Sequence, residues 1–321
     1  MATIDTIAQL AAVKNTGIPK TALDIKNIAG FFMVPKGQTF TAAEVATLQT
    51  TLLEGVQNAS KSARFYPFAN FVDFKDSSEE PVVEKFGFGG RKTVRDGIND
   101  WAYRFEKGGQ QLLNAGRTFN GDDWDVLFVD KKNVLVGTAW VDGTGANGIK
   151  AVPVIEFYTN PAKQNDGKAN TQYWLNVCFD PKFINEEIAW VSDAGFDILD
   201  VCQGLGNAVL GSPGASGTSG TYNVTVIDDL GNNLVDLYGA DFVAGLFACI
   251  NYQTGLAIPI TTATISSFSG VSGIAFVVDK TSANYPATTG QKVSFNQASI
   301  ASWIAAGIDF ESTGAVSIVK N

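Results

Sequence analysis

Ile98-Asn99-Asp100-Trp101-Ala102-Tyr103-Arg104-Phe105-Glu106 sets three aromatic side chains, Trp101, Tyr103 and Phe105, in alternation with Asp100, Arg104 and Glu106. Successive side chains of an extended chain point to opposite faces, so this period of two is that of a half-buried antiparallel strand. Asp96-Gly97 before it and Gly108-Gly109 after it are turn signals. Outward from this strand the chain predicts a mainly β (α+β) fold. Its first part reads as an antiparallel β-sandwich or barrel with a few helices, its second as an Ig-like β-sandwich.

Upstream, residues 91–95 lie between the Gly89-Gly90 and Asp96-Gly97 turns and read as a hairpin arm. Phe86-Gly87-Phe88-Gly89-Gly90-Arg91-Lys92 is its flexible tip. This basic, glycine-rich stretch matches neither the phosphate loop nor the dinucleotide fingerprint, and no βαβ unit surrounds it. Downstream, 124–130 and 133–140 predict a hairpin through Asp130-Lys131-Lys132-Asn133. Residues 152–158 and 172–179 continue the sheet across a polar loop, 160–170. Asp180-Pro181 predicts a helix start completed over 185–189, and 196–201 predicts a returning strand.

The helical material lies in the first seventy residues. Thr41 and Glu44 make a capping box, each side chain satisfying the other's backbone N–H. Val45, Leu48, Leu52 and Val56 recur at helical spacing, which predicts one amphipathic helix over 42–61. A weaker helix is predicted over 4–13, a strand within 24–34, and short helices over 110–114 and 299–306.

The stretch 211–220 holds four glycines, three serines and one proline, a composition that packs no core. It reads as a linker between a domain at 1–210 and a second at 221–321. There Tyr222, Val224 and Val226 alternate with Asn223 and Thr225, and turns recur near 231, 255 and 270.

Composition narrows the function classes. A net charge of −9 opposes wrapping nucleic acid or binding anionic membranes, since both need clustered Lys and Arg. Histidine is absent, which removes the commonest general base, Ser-His-Asp and Cys-His catalysis, and most transition-metal sites. The cysteines Cys178, Cys202 and Cys249 are isolated and read as buried thiols. No secretory signal is seen at the start, and the longest apolar run, 242–250, is about half the length of a spanning helix. The expectation is a soluble protein made in the cytosol.

The carboxylate clusters carry no chemistry at this level. Asp122, Asp123 and Asp125 lack the spacing of a calcium loop and read as a solvated turn. Asp228-Asp229 with Gly231, and Asp166-Gly167, are turn formers. Glu79-Glu80 with Glu84, or Glu186-Glu187, would serve glycoside hydrolysis only at a set separation across a cleft, and read as solvated charge. The expectation is a non-enzyme with no catalytic, cofactor or metal residues.

Residues 72–140 resemble the tail-tube proteins of long-tailed bacteriophages and the related ring proteins of phage tails. The features shared are an acidic lead over 76–80, then Arg91-Lys92-Thr93-Val94-Arg95-Asp96-Gly97, then the aromatic strand Trp101-Ala102-Tyr103-Arg104-Phe105-Glu106. Lys107-Gly108-Gly109 follows, and Arg117-Thr118-Phe119-Asn120-Gly121 leads into Trp124-Asp125-Val126-Leu127-Phe128-Val129-Asp130. The composition fits a crAss-like or other Bacteroidetes phage. The resemblance implies a virion protein, assembled in the host cytoplasm, that joins copies of itself into rings, often six-fold, or a tube. Its other partners would be further virion proteins, with DNA passing through unbound and no membrane. Gly87, Gly89, Gly90, Arg91, Lys92 and Arg95 are then the expected subunit interface. A capsid-associated protein with an exposed C-terminal domain, and a carbohydrate-binding adhesive module, stay open as alternatives.

Overall fold

The computed structural model describes residues 4–6, 28–95, 97–105, 109–121, 123–163, 171–180, 188–191, 194–213 and 220–320. The chain divides into two compact units, Met1–Gln203 and Gly204–Asn321.

In the first unit the early strands are β1 (Ile4–Thr6), β2 (Ile28–Pro35), β3 (Thr39–Phe40), β4 (Tyr66–Ala69), β5 (Phe71–Asp76), β6 (Val82–Lys85) and β7 (Arg91–Arg95). There follow β8 (Asn99–Phe105), β9 (Trp124–Asp130), β10 (Leu135–Val141), β11 (Asn147–Lys150), β12 (Val152–Thr159), β13 (Tyr173–Phe179) and β14 (Ile188–Val191). The helices are α1 (Ala42–Ala46), α2 (Leu48–Val56), α3 (Gly109–Arg117) and α4 (Ile198–Val201).

β9 is central. It pairs with β2 along its whole length, from Ile28↔Asp130 to Pro35↔Trp124. On its other edge it meets β10 at Phe128 and Val129, and β12 at Asp125 and Val126. From β12 the sheet runs through β13 and β8 to β5. Six of the seven β9 residues are buried, so the strand shows no period of two. Val126 and Phe128 join Phe31 and Met33 in one core, while Leu127 and Val129 join Phe32 and Val34 in another.

The first core lies between two sheet layers. Trp101, Tyr103 and Phe105 of β8, with Val177 and Phe179 of β13 and Phe157 of β12, face the β2–β9 layer across it. Burying each of these large side chains stabilises the fold by about 1.5–3 kcal/mol. The second core is roofed by the helices through Val45, Leu48, Leu52 and Val56. The result is a sheet-on-sheet sandwich with a helical third layer. Among the described residues the sheet is open, ending at β1 and β5, so the barrel alternative is set aside.

Several local expectations are corrected. The capping box is present, Thr41 N–H donating to Glu44 Oε2 at 2.7 Å. The helix behind it is two helices, however, broken at Thr47 (φ −115°, ψ 37°), whose hydroxyl donates back to the Ala43 carbonyl and competes with the helical ladder. The second ends at Val56, and the chain turns where Ser60 N–H donates to Asn58 Oδ1. The strand predicted at 196–201 is the helix α4, because the Asp197 carboxylate caps it by accepting from Asp200 N–H. Ile188 and Ala189, predicted to end a helix, belong to β14, which lies between β1 and β10 and is buried at Ala189, Trp190 and Val191. In the helix predicted over 4–13, Ile4–Thr6 is a strand and the rest lies outside the described residues, as do 24–27, Pro181, 185–187 and most of the loop 160–170.

The second unit contains β15 (Gly206–Gly211), β16 (Thr221–Asp228), α5 (Leu234–Tyr238), β17 (Phe247–Asn251), β18 (Ala257–Ile258), β19 (Ile260–Phe268) and β20 (Val271–Val278). It ends with β21 (Lys292–Gln297), α6 (Ile300–Ala305), β22 (Phe310–Ser312) and β23 (Val316–Val319). One sheet has the order β19-β20-β16-β15-β22, the other β18-β17-β21-β23. With the short parallel strand β22 set aside, β15 to β21 and β23 correspond in chain order to A, B, C, C′, D, E, F and G. The sheets are then DEBA and C′CFG, the immunoglobulin arrangement. Where antibody domains join B to F by a disulfide, Tyr222 on β16 and Phe295 on β21 pack rings at 5.6 Å, and Phe276 stacks on Phe295 at 5.1 Å. Trp303 of α6 fills the same core and donates its indole N–H to the Leu246 carbonyl at 2.8 Å.

The unit boundary falls at Gln203/Gly204, ahead of the stretch 211–220 expected to be the linker. Gly211 ends β15, which pairs antiparallel with β16. The glycine- and serine-rich segment therefore connects two neighbouring strands of one sandwich, and its residues 214–219 lie outside the described residues. Its composition still reports a segment without a core.

Candidate assembly interface

β5 and β8 form the stem of a long hairpin. They pair from Phe71↔Phe105 to Asp76↔Trp101. Pairing continues beyond the named strands, where Ser77 N–H donates to the Asp100 carbonyl at 2.8 Å and Glu79 N–H to that of Ile98 at 2.9 Å. Past this point, among the described residues, β6 and β7 pair only with each other, from Val82↔Arg95 to Lys85↔Arg91, with a bulge between Val82 and Val83. Phe86 N–H closes the tip by donating to the Gly90 carbonyl at 2.7 Å. Residues 77–86 extend about 30 Å at the rise of a strand.

Every residue from 75 to 95 is exposed. The apolar ones are exposed too: Val82, Val83, Phe86, Val94, and Phe88 most of all, at 106%. Along β7, Arg91 and Thr93 point to one face and Lys92 to the other, and the bulge breaks this alternation at Val94 and Arg95. With Lys85 and Glu84, residues 82–95 carry a net +3, leaving −12 on the rest of the chain. The ribbon is thus an apolar, cationic arm on an acidic body.

The residues expected at the interface all lie here, in differing roles. Gly89 alone of the three tip glycines adopts a left-handed backbone, φ +83°, which a residue with a side chain resists. Gly87 and Gly90 leave the tip without side chains. Arg91 and Lys92 are exposed cations. Arg95 is not a free interface cation. It instead bridges Glu79 of its own chain at 2.7 Å, a contact open to solvent at both ends. Sequence reasoning missed the exposed Val82, Val83, Phe86, Phe88 and Val94. The available signal was apolar residues on both sides of a Gly-rich turn, with no period assigning them a covered face.

At the root of the ribbon lies a groove of about 280 Å³, lined by Ser77, Glu79, Ile98, Asp100, Glu156, Tyr158, Asn176 and Cys178. Asp100 and Glu156 are each registered against Cys178 of β13, on its two sides. Burial first, and the Glu156 charge second, raise the Asp100 carboxyl above its ordinary value.

The other candidate groups have structural work. Asp123 pairs with Lys36 at 2.7 Å, and Asp122 lies outside the described residues. Asp125 is not the solvated turn residue expected. It is 1% exposed and accepts from Gly37 N–H at 2.6 Å and Val154 N–H at 3.2 Å, joining the β2–β3 turn to β12. Asp228 accepts from Leu230 N–H and Asn232 N–H and so shapes its turn. Glu186, Glu187 and Asp166-Gly167 lie outside the described residues. Burial pushes the Cys202 thiol up to about 11 and that of Cys249 to about 12, which keeps both protonated and weakly nucleophilic. Among the described residues no three His, Cys, Asp or Glu side chains are grouped to hold a metal ion, and no helix is long and apolar enough to cross a membrane.

Comparison with protein-family models, curated proteins and solved structures finds no match to this chain.

Proposed function

We propose that this protein is a structural subunit of a phage virion that assembles with copies of itself into rings or a tube of the tail or its portal junction, around a passage for DNA. The supporting observation is the ribbon of β6 and β7. A two-stranded ribbon is marginal in water without a third strand or a packed face, yet this one carries five uncovered apolar side chains. Covering them contributes up to about 10 kcal/mol gross, comparable with the cost of immobilising a partner, about 4–15 kcal/mol. One ribbon alone therefore makes a weak contact. A closed ring gives each subunit two contacts, and closure stabilises the set.

The charge distribution agrees with a conduit. An acidic body repels DNA phosphates, so a genome passes without adhering. The cationic ribbon is the exception, and an interface would cover it.

Native mass measurement across protein concentration tests the proposal, with electron microscopy of the largest species. Discrete high oligomers of ring or tube form are expected. A second chain, with residues 82–95 replaced by Asn-Gly, is expected to remain monomeric with its stem folded. A wild-type chain that stays monomeric at every concentration overturns the proposal.

A further inference from the structure

The ribbon needs a receiving surface, and the first unit carries one of matching chemistry. Among the described residues no layer packs on the outer face of β12, β13 and β8: Glu156 and Tyr158 are exposed, and Asp100, Asn176 and Cys178 are half-buried. Ile155, at the bulge between Val154 and Glu156, is 56% exposed. The face thus combines apolar Ile155 and Tyr158 with the carboxylates of Asp100 and Glu156 beside the groove at the ribbon root. Among the described residues neither carboxylate is in an ion pair.

We propose that the ribbon of a second copy of this chain docks on this face, Phe86 and Phe88 covering Ile155 and Tyr158 while Lys92, on the Phe86 side of the ribbon, approaches Asp100 and Glu156. The inference rests on the reading of the ribbon as an assembly arm, and names where that arm lands. Charge complementarity selects the occupant. The ribbon carries +3 and the face two adjacent carboxylates whose repulsion a cation relieves. The ribbon does not satisfy its own face, since all its residues remain exposed. Donor and acceptor are different patches, so the contact is head-to-tail and repeats from copy to copy, which produces rings or filaments. Arg95 bridges Glu79 at the ribbon root, beside the groove.

The test is a charge exchange read by sedimentation velocity across concentration. Glu156→Lys alone, and Arg91→Glu with Lys92→Glu, are each expected to raise the concentration for half-assembly at least tenfold. The triple variant should recover to within about threefold of wild type. All three sites are exposed, and a circular-dichroism melt checks that the fold is unchanged. A mixing experiment reads the polarity: the Asn-Gly chain keeps the face, Glu156→Lys keeps the ribbon, and together they should stop at one-to-one pairs. If the ribbon variant fails to assemble while Glu156→Lys assembles like wild type, the ribbon lands elsewhere; the docking inference falls and the assembly function stands. If neither variant changes assembly, the ribbon is not the assembly arm and the docking inference falls; the assembly function itself falls only if the wild-type chain stays monomeric.

Discussion

The two halves of one hairpin, the stem of β5 with β8 and the ribbon of β6 with β7, share strand pairing and differ in everything else. In the stem, Phe74 packs on Trp101 at 5.8 Å and on Tyr103 at 5.4 Å, and Trp101 on Phe179 at 4.8 Å. In the ribbon, Phe88 touches only solvent. Backbone pairing contributes little net stability, because water offers the same hydrogen bonds to the open chain. The stem is held by the core beneath it. The ribbon has only its ladder, and its apolar residues are stabilising only when something else covers them.

The contrast breaks hardest in the stem. Trp101→Ala removes a ring packed against Phe74, Phe128 and Phe179. It should cost about 4 kcal/mol in urea unfolding of the first unit. The junction comes next. A methyl group at Gly97 would lie 2.2 Å from the Glu79 carbonyl oxygen, so Gly97→Ala should cost about 2 kcal/mol. Hydrogen exchange should quicken at Ser77 and Glu79 ahead of the stem. In the ribbon, Phe88→Ser should change monomer stability by less than about 0.5 kcal/mol while weakening assembly several-fold. Equal effects on folding from Trp101 and Phe88 would end the distinction.

Acid should separate the halves by sign, with the smallest effect. The Asp100 carboxyl is raised by burial first and Glu156 second, with Asp76 adding and Lys75 opposing. Its folded-state value thus lies above its unfolded one. As the pH falls from neutrality through that raised value toward about 4, the folded chain takes up the proton first, so the Asp100 contribution to stability improves. Docking of a cationic ribbon weakens over the same range as the carboxylate loses its charge. Chemical unfolding and sedimentation in the same buffers check the opposed slopes, and Asp100→Asn should flatten both.

Some of this was legible in the residues. The period of two in 98–106 is the covered face of β8, with Tyr103 and Phe105 each 1% exposed. Thr41 and Glu44 cap the helix they predict, and the alternation at Tyr222, Val224 and Val226 is one inner face of the sandwich. The position of the ribbon tip was also visible, because Gly87, Gly89 and Gly90 beside Arg91 and Lys92 suit a tip and not a core.

The remainder came from tertiary structure. A six-residue stretch such as 196–201, four apolar residues and two aspartates, suits a strand or a buried helical turn, and Asp197 decides it only once its carboxylate reaches Asp200 N–H. Residues 211–220 announce a segment without a core, yet whether it joins two domains or two strands depends on the pairing of β15 with β16. The ribbon makes the division plainest. Side-chain chemistry and spacing determined where this chain pairs, turns and presents apolar surface, because those are local properties. Which apolar surface is covered, Trp101 and Tyr103 but not Phe86 and Phe88, depended on what the rest of the chain packs against it. That is a property of the folded whole.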